Sequence, residues 1–161
     1  MSRVEARELI MILLFQMEAQ NDYSPESIEL FFEKMDGFFR ETDSEARDAV
    51  SAADEKPGAE NPQEEYLRKM AALILSHLPE ADRLIESCSD NWKIGRLNKV
   101  DLATLRVGVL EILYMEDIPD SVAINEAVEI AKKYSAEDSG KFVNGLLGKV
   151  AKVKCEKLIF A

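Results

Sequence analysis

Residues 96–115 read RLNKVDLATLRVGVLEILYM, and this stretch decides the fold. Along most of it, apolar residues occur on nearly every side of a helical wheel, which is typical of a buried helix. A helix of this length could also cross a membrane, but the charged residues Asp101, Arg106 and Glu111 within it argue against lipid. We therefore predict the central helix of a soluble helical domain, in which Arg106 and Glu111 anchor neighbouring helices.

The rest of the chain also shows helical periodicity. We find no period-two alternation that would indicate strands, so we predict an all-α fold with about seven helices. Pro79 is expected to start a new helix, and Gly145 and Gly148 to lie where another helix approaches closely. Ser135 and Asp138 have the spacing of a capping box. The predicted helices cover about residues 3–19, 25–40, 64–78, 79–89, 96–115, 120–134 and 136–152.

The charge of the chain is −11, which normally argues against nucleic-acid binding because phosphate contacts depend on Lys and Arg. The charge is unevenly spread, however. Residues 41–66 contain nine Asp and Glu, whereas residues 141–157 contain five Lys and a single acidic residue. We interpret residues 41–63 as an acidic linker. The total charge therefore does not exclude a basic or neutral binding surface elsewhere.

The sequence contains no recognisable catalytic or metal-binding motif. A P-loop, GxGxxG, CxxC, HExxH and a Ser/His/Asp set are all absent. His77 is the only histidine, and it has no neighbours at ligand spacing. Cys88 and Cys155 do not form a disulfide framework, and no signal peptide opens the chain, so we expect reduced thiols and a cytoplasmic protein. These features predict a binding protein without cofactor or metal, and not an enzyme.

Three segments resemble the NusB family of bacterial transcription antitermination factors. They are ARELIMILLFQ at 6–16, RLNKVDLATLRVGVLEILY at 96–114 and DIPDSVAINEAVEIAKKYSAEDSGKFVNGLLGKV at 117–150. The third segment is the most specific of them. The resemblance extends over residues 3–40 and 64–152, and it does not include the acidic linker.

This resemblance implies a fold and a set of partners. The fold is a single domain over residues 1–161 made of two small packed helical bundles, an N-terminal one at about 3–91 and a C-terminal one at about 92–152. The implied partners are the ribosomal protein NusE, the single-stranded boxA element of ribosomal RNA leader transcripts, and the transcription elongation complex, which then reads through terminators. No membrane partner is implied.

The resemblance also assigns residues. RNA contacts fall to Arg3, Arg7, Tyr134, Asp138, Lys141 and Phe142, and partner contacts to Asp101, Asp138 and Phe142. Aromatic rings stack on unpaired bases, carboxylates accept from base amino groups and cations meet phosphates. Judged from the residues alone, Phe142 would be a core residue and Asp138 a helix cap. Because Arg3 and Arg7 are the only cations at the N-terminus, we expect weak RNA binding without NusE.

Three alternatives differ in class. One is the RNA-binding accessory domain of RNA cytosine methyltransferases, which would require a fused catalytic domain that this sequence lacks. Another is a structural interaction module, such as a homodimer that buries the RNA surface. The least favoured is an enzyme that depends on His77 or Cys88.

Overall fold

The computed structural model describes residues 1–47, 62–90 and 93–160, and within these ranges the chain consists of helices joined by short connections, with no strand. The all-α prediction is confirmed, with six α-helices and one short 3-10 helix in place of about seven helices. The α-helices are α1 (Arg3–Gln20), α2 (Pro25–Arg47), α3 (Pro62–Cys88), α4 (Lys99–Tyr114), α5 (Asp120–Tyr134) and α6 (Ser139–Phe160), and the 3-10 helix is Ile94–Arg96.

Helix α4 is the central element, as predicted. The side-chain oxygen of Asn98 accepts hydrogen bonds from the backbone N–H groups of Val100 and Asp101, at 2.8 and 3.4 Å, and so caps the helix. Every residue from Asp101 to Ile112 is buried. Helices α1 and α3 pack against α4, as do α5 and α6. Since α4 contacts both halves of the chain, the division into two bundles stays a prediction.

The buried charges of α4 anchor neighbouring helices, as the sequence predicted. Arg106 forms a bidentate pair with Asp82 of α3 at 2.8 Å for both bonds, and it also donates to Glu18 of α1 at 3.1 Å. Glu111 accepts two bonds from Nε of Arg7, at 2.9 and 3.1 Å, and one from the Tyr66 hydroxyl at 3.2 Å. None of the described helices is long and apolar enough to cross a membrane.

Helix α3 is longer than predicted because it continues through Pro79. A proline inside a helix removes one backbone hydrogen bond and crowds the preceding turn. The buried residues Ile74 and Leu78 on one side of Pro79, and Ala81 and Ile85 on the other, keep helical spacing along a single face. Packing of that face against the core keeps the helix continuous, so the predicted break at Pro79 is wrong.

The predicted close helix approach at Gly145 and Gly148 is also wrong. A Cβ atom built at either position meets nothing within 4 Å. The close approach occurs instead at Gly108 of α4, where an added Cβ would lie 2.7 Å from Cδ1 of Leu147 in α6. Gly108 therefore allows α4 and α6 to pack closely.

Several ends of the predicted elements differ from the structure. Helix α4 begins at Lys99 and not at 96, and α6 begins at Ser139 and not at 136. Helix α6 runs on to Phe160 and so includes the basic tail that the sequence left unplaced. Helix α2 extends to Arg47 and so includes the start of the predicted acidic linker, whose remaining residues 48–61 lie outside the described ranges.

Candidate functional site

The two N-terminal arginines occupy different environments. Arg3 is half-buried, its Nε donates to Gln63 at 2.7 Å, and its guanidinium lies 4.5 Å from the centre of the Tyr66 ring. Arg7 is only 4% exposed, and its guanidinium is paired with Glu111. Arg7 therefore stabilises the core and is not available to a phosphate. This burial could not be predicted from the sequence, because the partner of Arg7 lies 104 positions away.

Tyr134 lies at the end of α5 with its ring 41% exposed. Its hydroxyl donates to Oε2 of Glu8 in α1 at 2.8 Å, and Lys133 donates to Oε1 of the same carboxylate at 2.9 Å. Burial, together with the hydrogen bond to Glu8, raises the pKa of the Tyr134 phenol. The ring is therefore held at its hydroxyl end while part of its surface stays open to solvent.

The turn between α5 and α6 is fixed by Asp101. This carboxylate, which is 8% exposed, accepts from the hydroxyls of Ser135 at 2.7 Å and Ser139 at 3.1 Å. Helix α6 begins at Ser139, so Ser135 is not its N-cap and the predicted capping box with Asp138 does not form. Asp101 instead ties the first helical turns of α4 to the turn that presents Asp138. Its predicted contact with a partner protein stays a prediction.

Three predicted site residues lie together where α6 begins. Asp138, Lys141 and Phe142 are all exposed, with 36% of Phe142 open to solvent. The backbone N–H of Phe142 donates to the carbonyl of Asp138 at 3.3 Å, so the two side chains share one face of this turn. Phe142 is thus a surface aromatic and not the core residue that the residues alone suggested.

Phe142 borders a groove of about 660 Å³ between α6 and the segment that precedes α4. Part of the wall is apolar, and Asp101 also faces the groove. Lys149 lies at the edge and donates to Asp90 at 3.1 Å. The lining includes Arg96, Leu97, Asp101, Lys141, Phe142, Leu146 and Lys149.

A second, smaller groove of about 180 Å³ adjoins Tyr134 and is almost wholly apolar. Ile12 and Phe15 of α1 line it, and they are 38% and 37% exposed. Sequence reasoning missed both residues, because the apolar run of α1 does not reveal which of its members face outward. Val100 lines this groove and the adjacent Asp101 lines the larger one, so both grooves open beside the start of α4.

The residues with catalytic potential have structural contacts. The His77 ring stacks on Tyr114 with centroids 4.2 Å apart, and its Nδ1 lies 3.3 Å from Glu80. Cys88 is buried. In the part of the chain that the structure describes, no group of three or more His, Cys, Asp or Glu residues is placed to hold a metal ion.

Comparisons with known proteins show to which family the chain is similar. A family model described as the NusB family matches residues 4–152. The chain is 41% identical over 152 residues to transcription antitermination protein NusB of Ruminiclostridium cellulolyticum, covering 94% of this chain and 90% of the relative. It is 40% identical over 154 residues to the same protein of Acetivibrio thermocellus, covering 96% and 91%.

Solved structures also show that the fold is similar to that of NusB proteins. The fold is similar to that of T. maritima NusB, with a TM-score of 0.69, 31% identity, and coverage of 94% of this chain and 92% of that chain. It is also similar to a chain from a crystal structure of the antitermination factors NusB and NusE in complex with dsRNA. That match has a TM-score of 0.68, 26% identity, and coverage of 95% and 99%.

Proposed function

The chain belongs to the NusB family, and on that premise we propose how it acts in transcription antitermination. It binds RNA together with the ribosomal protein NusE, and the complex acts on the transcription elongation complex. The RNA is a single-stranded boxA-type element, and the result is processive transcription of ribosomal RNA operons. The protein works by binding and not by catalysis, and the free thiols of Cys88 and Cys155 suit a cytoplasmic location.

The RNA surface that we propose centres on two exposed aromatic rings, Tyr134 and Phe142, at the ends of one fixed turn. This is the observation that carries the proposal, because single-stranded RNA is bound largely by stacking of its bases on such rings. Asp138 accepts from a base amino group, and Lys141 meets a phosphate. Arg3 remains in the surface as a half-exposed cation at the start of α1.

We place NusE on the two grooves beside the start of α4. Protein interfaces combine an apolar centre with a polar rim. Ile12 and Phe15 supply exposed apolar area in the smaller groove, and Leu97 and Leu146 line the larger one. Phe142 borders the larger groove and Tyr134 the smaller, so an RNA and a protein bound here would share these aromatics.

The test is to remove each aromatic ring. A labelled boxA RNA is titrated with the complex of the full chain and NusE, using Tyr134→Ala and Phe142→Ala variants. Stacking is worth about 1–3 kcal/mol per base, so each variant should bind roughly tenfold or more weakly. Leu75→Ala is the matched control, because Leu75 is a large apolar residue, 48% exposed, on α3. Unchanged affinity in both aromatic variants would refute the proposed surface.

The alternative is a homodimer that buries the same surface. The observation in its support is the exposure of the apolar side chains of Ile12, Phe15 and Phe142. This alternative predicts a dimer mass by light scattering, which Phe15→Asp would reduce to that of the monomer. The RNA proposal instead predicts a monomer whose mass does not change with this substitution.

A further inference from the structure

Glu8 makes two contacts that the proposed function does not use. Its side chain is 15% exposed, and its two oxygens bind different groups: Oε2 accepts from the Tyr134 hydroxyl at 2.8 Å and Oε1 from Lys133 at 2.9 Å. Within the described ranges, these are the side-chain hydrogen bonds that join α1 to α5. One carboxylate therefore connects the first turns of α1 to the end of α5.

The two bonds restrict the Tyr134 ring. An exposed tyrosine whose hydroxyl is free samples several rotamers, and binding to any one of them costs conformational entropy. Here the hydroxyl is held by Glu8, and the Lys133 ammonium, which the same carboxylate binds, lies 5.1 Å from the ring centre. The stacking surface is therefore preorganised before any ligand arrives, which lowers the cost of binding.

We propose that Glu8 is a positioning residue of the RNA surface, which holds the Tyr134 ring in the orientation that stacks on a base. The inference rests on the proposed function. Glu8 itself touches no RNA in this account, and it acts through the hydroxyl of Tyr134. Phe142 has no polar group to be held in this way, and its place on α6 alone sets its orientation.

A double-mutant cycle tests the inference. The full chain, in complex with NusE, is titrated with labelled boxA RNA as the unaltered protein, Tyr134→Phe, Glu8→Ala and the double variant. Tyr134→Phe keeps the ring but loses the bond to Glu8, so the ring must be ordered on binding and the affinity should fall about two- to tenfold, the cost of immobilising one side chain. In the Glu8→Ala background, Tyr134→Phe should have no further effect. Glu8→Ala also releases Lys133, but this effect is present in both proteins that carry Glu8→Ala. It therefore cancels when the effect of Tyr134→Phe is measured between those two proteins.

A conservative variant and a spectroscopic readout separate positioning from general destabilisation. Glu8→Gln keeps an acceptor for the Tyr134 hydroxyl, so it should bind RNA more tightly than Glu8→Ala. In the free protein, NMR titration of the Tyr134 ring should show a lower pKa in Glu8→Ala, because the bond to Glu8 is one cause of its raised pKa. Glu129→Ala is the control: it removes a carboxylate 3.5 Å from Lys132 on the same helix and should change neither result.

Several outcomes would overturn the inference. If Tyr134→Phe weakens binding equally in both backgrounds, the hydroxyl contacts RNA directly and Glu8 does not position it. A Tyr134 pKa that is unchanged in Glu8→Ala also refutes it. If Tyr134→Ala weakens binding but Tyr134→Phe and Glu8→Ala do not, the inference fails while the proposed function stands. If Tyr134→Ala and Phe142→Ala have no effect, the proposed surface fails and the inference fails with it.

Discussion

Arg7 and Glu111 lie 104 positions apart in the chain, and Nε of Arg7 binds both carboxylate oxygens of Glu111, at 2.9 and 3.1 Å. Their side chains are 5% and 1% exposed. The Tyr66 hydroxyl donates to the same carboxylate at 3.2 Å, so the pair joins α1, α3 and α4 at one buried point. An arginine that resembled an RNA contact is therefore part of the interior of the fold.

Arg7→Met should destabilise the protein strongly. Removing one member of a buried ion pair leaves the other charge uncompensated and costs about 3–5 kcal/mol. Urea unfolding followed by circular dichroism measures the change. Lys133→Met is the control, because Lys133 also pairs with a carboxylate but is 60% exposed, so its loss should change stability far less. Equal losses in the two variants would contradict the assignment.

The cost of Arg7→Met should depend on pH. Burial raises the pKa of Glu111 above its ordinary value of 4.5, and Arg7 opposes that shift. When folding raises the pKa of a group, the folded protein holds the proton more tightly than the unfolded chain does. The stability gained in this way is present at low pH and is lost as the pH rises through the pKa of the folded state. Removing Arg7 raises the pKa of Glu111 further, so the variant's deficit should be larger at about pH 7.5 than at about pH 5. Unfolding of Arg7→Met and of the unaltered protein at both pH values measures this deficit in unfolding free energy. A deficit that shrinks as the pH rises would be evidence against this explanation.

Gly108→Ala should destabilise the protein even though alanine is the better helix former. The added Cβ would lie 2.7 Å from Cδ1 of Leu147, which is fully buried and has little room to move. Overpacking of this kind costs about 1–3 kcal/mol. Gly148→Ala is the control: nothing lies within 4 Å of its Cβ, so it should gain about 0.8–1 kcal/mol from helix propensity. Thermal unfolding checks that the two variants change stability in opposite directions. Stabilisation by Gly108→Ala would contradict the close packing of α4 and α6.

The sequence predicted those parts of the fold that depend on local signals. The apolar stretch 96–115 identified the buried helix. The break at Pro79 and the close approach at Gly145 were wrong because distant packing decides both. Such packing keeps α3 continuous and places Leu147 against Gly108.

The candidate site was predictable only in part. The family resemblance supplied Tyr134, Asp138 and Phe142, which are all exposed, at the end of α5 and where α6 begins. It also supplied Arg7, which is buried and paired with Glu111 on another helix. The role of Glu8 was not visible, because nothing in the N-terminal sequence indicates that α5 ends beside it.

Asp101 and Asp138 should have separable effects. Asp101→Ala removes the acceptor of two serine hydroxyls, so it should cost about 1–3 kcal/mol of stability and weaken RNA binding by loosening the turn. Asp138→Ala removes an exposed side chain, so it should change stability by about 0.5 kcal/mol or less while weakening RNA binding. Denaturant unfolding and RNA titration on both variants check this. A destabilised Asp138→Ala, or an Asp101→Ala variant as stable as the unaltered protein, would refute the roles given to them.

The central claim is that this chain binds RNA mainly as a complex with NusE. The net charge is −11, and the burial of Arg7 leaves Arg3 and Lys141 as the predicted phosphate contacts. The most direct measurement is the affinity for boxA RNA, with and without NusE, at two salt concentrations. We predict weak binding with a shallow salt dependence for the isolated chain, because it neutralises few phosphates, and much tighter binding for the complex. Tight, steeply salt-dependent binding by the isolated chain would contradict this account.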